Sequence, residues 1–246
     1  MSPKSAFLIV LAALVFAVVA STAEAYRPFD GTDAAVADQG QIEVELGLPE
    51  YLREPAARAL IAPSLRLNYG FAPGWEAVVE GDIAHGLAGG IGGSRLIGTG
   101  AFLKTVLRDG TLQDKSGPSV ATEFGLLLPG IRDENGAGAS LAGIVSERWE
   151  WGTLHLNASV ALTREQHADL FIGLIAEGPH DWPVRPVAEV FYDRNIGSSQ
   201  TAPLSWARWQ LKEDVAIDIG IRGARVNEHS AGEIRAGITF AFSVLK

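Results

Sequence analysis

Alternation of apolar and polar side chains constrains this chain more than any other feature. The stretches QIEVEL at 41–46 and SLRLNY at 64–69 alternate residue by residue. Because successive side chains of a β-strand point to opposite faces, each stretch predicts a strand with one apolar and one polar face. Twelve such candidate strands follow one another between Gly40 and Leu245, separated by turn-forming residues. The sequence therefore predicts an all-β fold.

A secretory signal precedes the strands. Lys4 is followed by the apolar run Phe7 to Ala20, and Ala23-Glu24-Ala25 places small residues where a signal peptidase cuts. The apolar run is shorter than the roughly 20 residues that a membrane-spanning helix needs. We therefore predict a cleaved signal peptide at residues 1–25 and an exported mature chain.

In an exported bacterial chain, these strands predict an antiparallel up-and-down transmembrane β-barrel of about 12 strands. Several candidate strands approach the roughly 9–11 residues that cross a bilayer, and an even number is usual in such barrels. We expect the barrel to occupy residues 40–246, and the polar segment 26–39 either to plug it or to lie in the periplasm. Aromatic residues near alternate turns resemble an interfacial girdle: Tyr69, Phe71, Trp75, Trp149, Trp151 and Trp182.

This interpretation implies a monomer in the Gram-negative outer membrane, with membrane lipid and the barrel-assembly machinery as partners. The connections also predict which end faces which side, since barrels have short periplasmic turns and longer extracellular loops. Short connections at 71–74, 149–152, 178–183 and 212–214 alternate with longer ones at 48–63, 83–94, 129–138, 194–203 and 224–231. A soluble periplasmic β-protein that binds an apolar ligand is the alternative, because its core-facing strands have the same period.

The polar faces of the predicted strands supply the candidate functional residues. They carry charges of both signs, which either form a structural salt-bridge network or line a path for a small-molecule solute. The candidates for lining the lumen are Arg66, Lys104, Glu123, His155, Asn157, Arg185, Glu189, Asp218, Arg222 and Arg235.

Composition excludes several kinds of chemistry. The chain has no cysteine, so it has no disulfide and no thiolate nucleophile. Its net charge of −9 and the lack of a Lys/Arg stripe argue against a nucleic-acid partner. No spacing indicates a metal site or a cofactor, and we predict a protein that is not an enzyme. A lipid hydrolase using His155, Asn157 and Ser159 is the catalytic alternative, but the alternation turns all three toward the lumen.

Several segments resemble the outer-membrane barrel family named for the MetA pathway of phenol degradation. They are RPFDGTDAAVADQGQIEVELGL at 27–48, SLRLNYGFAPGWEAVVEG at 64–81, Lys104, Gly117-Pro118 and the stretch Leu126 to Pro129. This resemblance implies a transporter of small molecules, aromatic or apolar ones among them. It implies no catalytic residues.

Overall fold

The chain forms a closed antiparallel β-barrel. The structure, a computed structural model, describes residue 27 and residues 29–54, 57–89, 92–132, 134–195, 198–212 and 214–244; for residue 195 and residues 198–206 it describes the backbone only. The predicted signal peptide lies outside the described residues. The strands are β1 Gln41–Gly47, β2 Glu50–Arg53, β3 Arg58–Ala72, β4 Trp75–Ala88, β5 Gly93–Arg108, β6 Ser119–Leu127, β7 Gly138–Trp149, β8 Gly152–Leu162, β9 Ala168–Glu177, β10 Val184–Asn195, β11 Ser198–Lys212, β12 Val215–Val226 and β13 His229–Ser243. Each strand from β3 to β12 pairs with the next along the chain.

The barrel is closed by β1 and β2, which together occupy one of its 12 strand positions. Both segments pair with β3 on one side and with β13 on the other. The register on β3 is continuous across the break, since Gly47 faces Ser64 and Glu50 faces Ile61. The interruption falls at residues 48–49, where Pro49 has no backbone N–H to donate. Counting the interrupted strand once confirms the predicted 12-stranded up-and-down barrel.

The strands are long enough to cross a bilayer at a tilt. A 3-10 helix at Thr111–Gln113 interrupts the connection that follows β5. No helix in the described ranges is long and apolar enough to cross a membrane.

The barrel is apolar outside and polar inside, the reverse of a soluble barrel. Ile219 on β12 is 61% exposed, while its neighbour Asp218 is 6% exposed. Charged side chains buried in the interior include Glu43, Glu45, Glu76, Lys104, Glu189, Arg208, Glu233 and Arg235. Large apolar side chains exposed on the outer surface include Val79, Leu103, Leu126, Leu141, Leu156, Val160, Ile172, Leu174, Val190, Ile221 and Ile234.

We call the end at which β1 begins and β13 finishes the proximal end, and the opposite end the distal end. Aromatic side chains cluster proximally, as the sequence predicted. Phe71 and Trp75 lie 6.2 Å apart across one turn, and Trp149 stacks on Trp151 at 5.2 Å beside another. Trp182, in a third proximal turn, is 52% exposed.

The predicted difference in loop length between the two ends is wrong. Residues 48–63 and 83–94 are mostly strand, because β2, β3, β4 and β5 extend well beyond their alternating centres. Connections at both ends span two to ten residues, and the two longest, 109–118 and 128–137, lie at opposite ends. Glycine and proline in these segments had resembled loop signals, yet barrel strands tolerate them at bends and edges.

Candidate functional site

Residues 27 and 29–39 lie in the interior of the barrel, and we call the segment from Arg27 to Gln39 the plug. It enters from the proximal end, where Gly40 donates its N–H to the carbonyl of Gly70 at 2.7 Å. Ala34 is fully buried, and Ala35 and Ala37 are almost so. The sequence left two placements open for this polar segment, inside the barrel or in the periplasm. The residues of it that the structure describes lie inside the barrel.

Side chains of the barrel wall satisfy the plug backbone. A buried backbone N–H without a partner is costly, and the plug residues that the structure describes belong to no strand of the sheet that would accept their hydrogen bonds. Six plug N–H groups instead donate to side-chain oxygens on the wall: Arg27 to Glu45, Asp30 and Gly31 to Glu189, Thr32 to Asn157, Ala34 to Ser146, and Ala37 to Glu76.

Two of these wall residues make paired contacts. The two carboxylate oxygens of Glu189 accept the N–H groups of Asp30 and Gly31 at 2.9 and 2.8 Å. The side-chain amide of Asn157 accepts the N–H of Thr32 at 3.0 Å and donates to its carbonyl at 2.8 Å. Such paired contacts fix the position of a chain segment along the barrel axis as well as its distance from the wall.

Asp30 anchors the plug through charge. Its carboxylate pairs with Arg222 at 2.7 Å and with Arg235 at 3.1 Å, and both arginines also contact Glu233. Burial alone would raise the pKa of Asp30, but Arg235 and Arg222 hold it below its usual value. The carboxylate is therefore ionised at neutral pH, and its charge stabilises the seated plug.

Replacing Asp30 with asparagine is expected to loosen the plug. A hydrogen bond to a charged group contributes about 1.5–3 kcal/mol, so transient opening should rise about tenfold or more. Opening can be measured in refolded protein as the rate at which a thiol reagent reacts with Ala34→Cys, since Ala34 is fully buried while the plug is seated, corrected for the pH dependence of a free thiol. Asp38→Asn, the same change at a plug aspartate that makes none of these ion pairs, is the matched control and should leave the rate unchanged.

The pH dependence of this effect follows from the lowered pKa. The contribution of Asp30 to the stability of the seated plug is fully present above pH 3.8, the ordinary pKa of aspartate, and is lost as the pH falls through the lowered pKa of Asp30. The difference in labelling rate between Asp30→Asn and the parent should therefore persist from pH 8 down to this lowered pKa and disappear below it. A difference that vanished between pH 7 and 5 would contradict the assignment.

Charged contacts hold the rest of the plug. Arg27 lies 3.5 Å from Asp218 and also donates to the carbonyl of Ala236. Nearer the proximal end, the fully buried Lys104 pairs with Asp33 at 3.3 Å. Arg27, Asp30 and Asp33 thus each lie against an opposite charge on the wall, and the plug contributes charges of both signs to these contacts.

Two wall glycines make room for the plug. A Cβ added to Gly70 would lie 2.3 Å from the carbonyl oxygen of Ala37, and one added to Gly237 would lie 2.3 Å from Nε of Arg27. At Gly70 the obstructing atoms belong to the backbone of the plug, which cannot move aside as a flexible side chain can. Any larger residue at Gly70 would therefore displace the plug from its path.

His155 belongs to a hydrogen-bonded chain that ends on the plug. Its Nδ1 lies 2.8 Å from Oγ of Ser146, its Nε2 lies 3.1 Å from Glu177, and Ser146 accepts the N–H of Ala34. The catalytic alternative paired His155 with Ser159, but residues four apart on a strand are about 13 Å apart. That alternative is not favoured, because Asn157 holds the plug and Ser146, the partner of His155, is fully buried beneath it.

The remaining candidates contact other wall residues. Arg66 bridges Glu80 and Glu123, at 3.0 Å each, and Arg185 pairs with Glu177 at 3.3 Å. Six of the ten sequence candidates touch the plug directly: Lys104, Asn157, Glu189, Asp218, Arg222 and Arg235. The list of candidates omitted Glu45, Glu76, Ser146, Glu177 and Glu233.

A cavity of about 800 Å³ lies between the plug and the proximal mouth, and we call it the vestibule. The plug residues Asp33 and Ala35 to Gln39 line one side, and strands β7 to β11 line the other. Its lining is rich in charged side chains, among them Glu43, Asp109, Arg148, Glu177, Arg185 and Arg208. The proximal part of the barrel interior is therefore an open chamber, next to a middle that the plug fills.

A closed 12-stranded antiparallel barrel with an apolar exterior and a charged interior is a fold that outer-membrane β-barrel proteins share. An outer membrane channel from Pseudomonas putida F1 aligns with a TM-score of 0.62 at 10% identity, covering 85% of this chain and 96% of that one. The NanC porin aligns with a TM-score of 0.56 at 9% identity, covering 81% of this chain and 98% of that one. The KdgM porin in complex with disordered oligogalacturonate aligns with a TM-score of 0.54 at 10% identity, with the same two coverages.

At these identities the likeness shows the fold alone. The sequence matches no protein-family model and no curated protein. Membership in the MetA-pathway family is therefore not confirmed, while the porin-like barrel that the resemblance implied is.

Proposed function

We propose that this protein is a bacterial outer-membrane channel for small solutes, and that the plug occupies its lumen at rest. The observation that carries the proposal is the set of wall side chains that accept six backbone N–H groups of the plug. Each contact is a side-chain hydrogen bond that water can replace when the plug leaves. The plug can therefore move without breaking the β-ladder of the barrel.

The outer surface supports a membrane location. Exposed leucine, isoleucine and valine side chains surround the barrel, and tryptophans cluster at its proximal end. In this proposal the proximal end faces the periplasm, the barrel-assembly machinery inserts the protein, and the signal peptide is removed after Ala25. The soluble periplasmic alternative would place that apolar surface in water, where exposed patches of this kind promote aggregation.

The expected aromatic or apolar solute has no support in the lumen. The vestibule and the plug site are lined largely by carboxylates, guanidiniums and amides. Moving an apolar molecule past them gives it no favourable contact and displaces water from charged groups. We therefore propose a polar solute and no catalytic step.

The proposal is tested by recording currents across planar lipid bilayers after adding the refolded barrel. Discrete conductance steps are expected, with brief transitions to a higher level when the plug leaves. Protein whose barrel is closed, as shown by a heat-dependent shift in gel mobility, but which gives no step with or without the plug would overturn the channel proposal.

The orientation is tested with single cysteines in this cysteine-free chain. Gly92→Cys lies in a distal connection, where an added Cβ meets nothing within 4 Å, and Ser116→Cys lies exposed in a proximal one. On whole cells, a membrane-impermeant maleimide should label Gly92→Cys, and should label Ser116→Cys only after the outer membrane is opened. The opposite pattern would invert the barrel in the proposal.

A further inference from the structure

Two arginines lie directly opposite each other on the outer surface of the barrel near its distal end. Arg53 on β2 pairs with Arg58 on β3, and both side chains are exposed. Tyr51, two residues before Arg53, pairs with Ile234, which is 55% exposed on the outer face. Because residues two apart on a strand share a face, Arg53 and Arg58 also point away from the lumen.

Two more arginines face outward at the same end. Arg225 lies four residues beyond Ile221 on β12, in the same outward row. Arg194 lies two residues beyond the exposed Tyr192 on β10. A strand rises about 3.4 Å per residue, so these arginines lie beyond the apolar band by a distance comparable to the thickness of a headgroup layer.

The four arginines occupy one side of the barrel. The strands β10, β11, β12, β13, β2 and β3 are consecutive neighbours, so the arginines span five strand spacings, or roughly 24 Å along the wall. Uncharged residues lie beside them, with Ser199 opposite Arg194 and Ser230 opposite Arg225. We call this set the arginine arc: Arg194, Arg225, Arg53 and Arg58.

No ion pair holds the arginine arc in the part of the chain that the structure describes. Arg225 donates to the carbonyl oxygen of Glu228 at 3.3 Å. The carboxylates nearest in sequence, those of Glu54 and Glu228, lie in turns beyond the strand ends. Since each guanidinium has five N–H donors, the arc can bind an external acceptor.

The chemistry of the arc fits lipid phosphate. Like charges directly opposite each other destabilise a strand pair, and an anion shared by Arg53 and Arg58 would remove this repulsion. The planar guanidinium matches phosphate oxygens in a bidentate geometry. Long cationic side chains near the ends of membrane-spanning segments also extend to the headgroup layer.

We propose that the arginine arc binds lipid A, the phosphorylated glycolipid of the outer leaflet, with Arg53 and Arg58 sharing one of its phosphates. Lipid A has more than one phosphate and several hydroxyls on a single sugar backbone, which suits guanidiniums spread over several strands. The inference rests on the proposed membrane location and orientation and adds a lipid partner. It requires neither an open lumen nor movement of the plug.

The test is a titration followed by native mass spectrometry, with the full mature chain refolded in a maltoside detergent. The ligands are lipid A with two phosphates, the same lipid after enzymatic removal of both phosphates, and phosphatidylglycerol. We expect lipid A to bind about tenfold more tightly than the dephosphorylated lipid, the effect of about one charged contact. Equal binding of these two would overturn the proposal, as would equal or tighter binding of phosphatidylglycerol. Displacement of lipid A by millimolar inorganic phosphate would show a site for free phosphate and would also overturn it.

Substitutions then locate the contact. The double change Arg53→Gln with Arg58→Gln should weaken lipid A binding about tenfold, and Arg225→Gln should weaken it several-fold. Arg132→Gln is the matched control and should have no effect, since Arg132 is exposed at the same end but lies outside the arginine arc. Heat-dependent gel mobility shows that each variant barrel is closed. Equal losses in the arc and control variants would indicate general surface charge and overturn the site. Because binding is measured in detergent without current, its failure is distinguishable from failure of the channel proposal.

Discussion

A barrel that lacks residues 27–38 is expected to conduct ions several-fold better than the full-length barrel. Deletion removes the backbone that fills the middle of the lumen and leaves the ladder of β1 to β13 intact, since the described residues of the plug pair with no strand. The measurement is single-channel conductance in planar bilayers, with heat-dependent gel mobility to show that both barrels are closed.

A point variant provides the intermediate case for this prediction. Glu189→Ala removes the acceptor of two plug N–H groups and should produce frequent brief openings to the conductance of the deletion variant. Glu123→Ala is the control, because Glu123 contacts Arg66 on the wall and is not among the plug's partners. Equal conductance of the deleted and full-length barrels would show that the plug does not limit the current.

Replacing Ile219 with arginine is expected to prevent or severely impair assembly. Ile219 lies on the outer face of β12, and arginine near the middle of a bilayer costs about 2–4 kcal/mol. The fraction of heat-modifiable barrel recovered from the outer membrane measures the effect. Ile219→Leu keeps the apolar surface and should assemble normally.

The adjacent residue should behave differently. Asp218 points inward and contacts Arg27, so Asp218→Asn should assemble normally while weakening the hold on the plug. This contrast between neighbours tests the assignment of faces in β12. If the two substitutions impaired assembly to the same degree, the outer face of this strand would not contact hydrocarbon.

The sequence predicted the barrel because alternation is local. Residues two apart on a strand share a face, so Val215, Ile217, Ile219 and Ile221 could be assigned to one side without knowing any neighbouring strand. Strand ends were less predictable. Residues 83–88 contain glycine and a histidine and do not alternate clearly, yet they continue β4 because β3 and β5 offer hydrogen-bond partners on both sides.

The plug contacts could not be predicted in the same way. Thr32 and Asn157 are 125 residues apart, and Gly31 and Glu189 are 158 apart, with no repeat that relates them. Their positions depend on how far each strand is shifted against its neighbours all the way around the barrel. The register also places Ser146 opposite His155, a pairing that the spacing within β8 could not reveal.

The position of the plug also has a consequence for the order of biogenesis. Its partners include Asn157, Glu189, Arg222 and Arg235. Most of the wall residues that hold the plug are therefore not in place until the last strands have been synthesised and joined to β1. With the signal peptide removed as proposed, the segment has a free N-terminal end and a reach of roughly 3.3–3.6 Å per residue, so it can enter through the open proximal mouth without threading. In this order of events, insertion of the plug into the lumen is the final step of maturation. A different segment fused ahead of Gly40 would then give the same barrel a different plug.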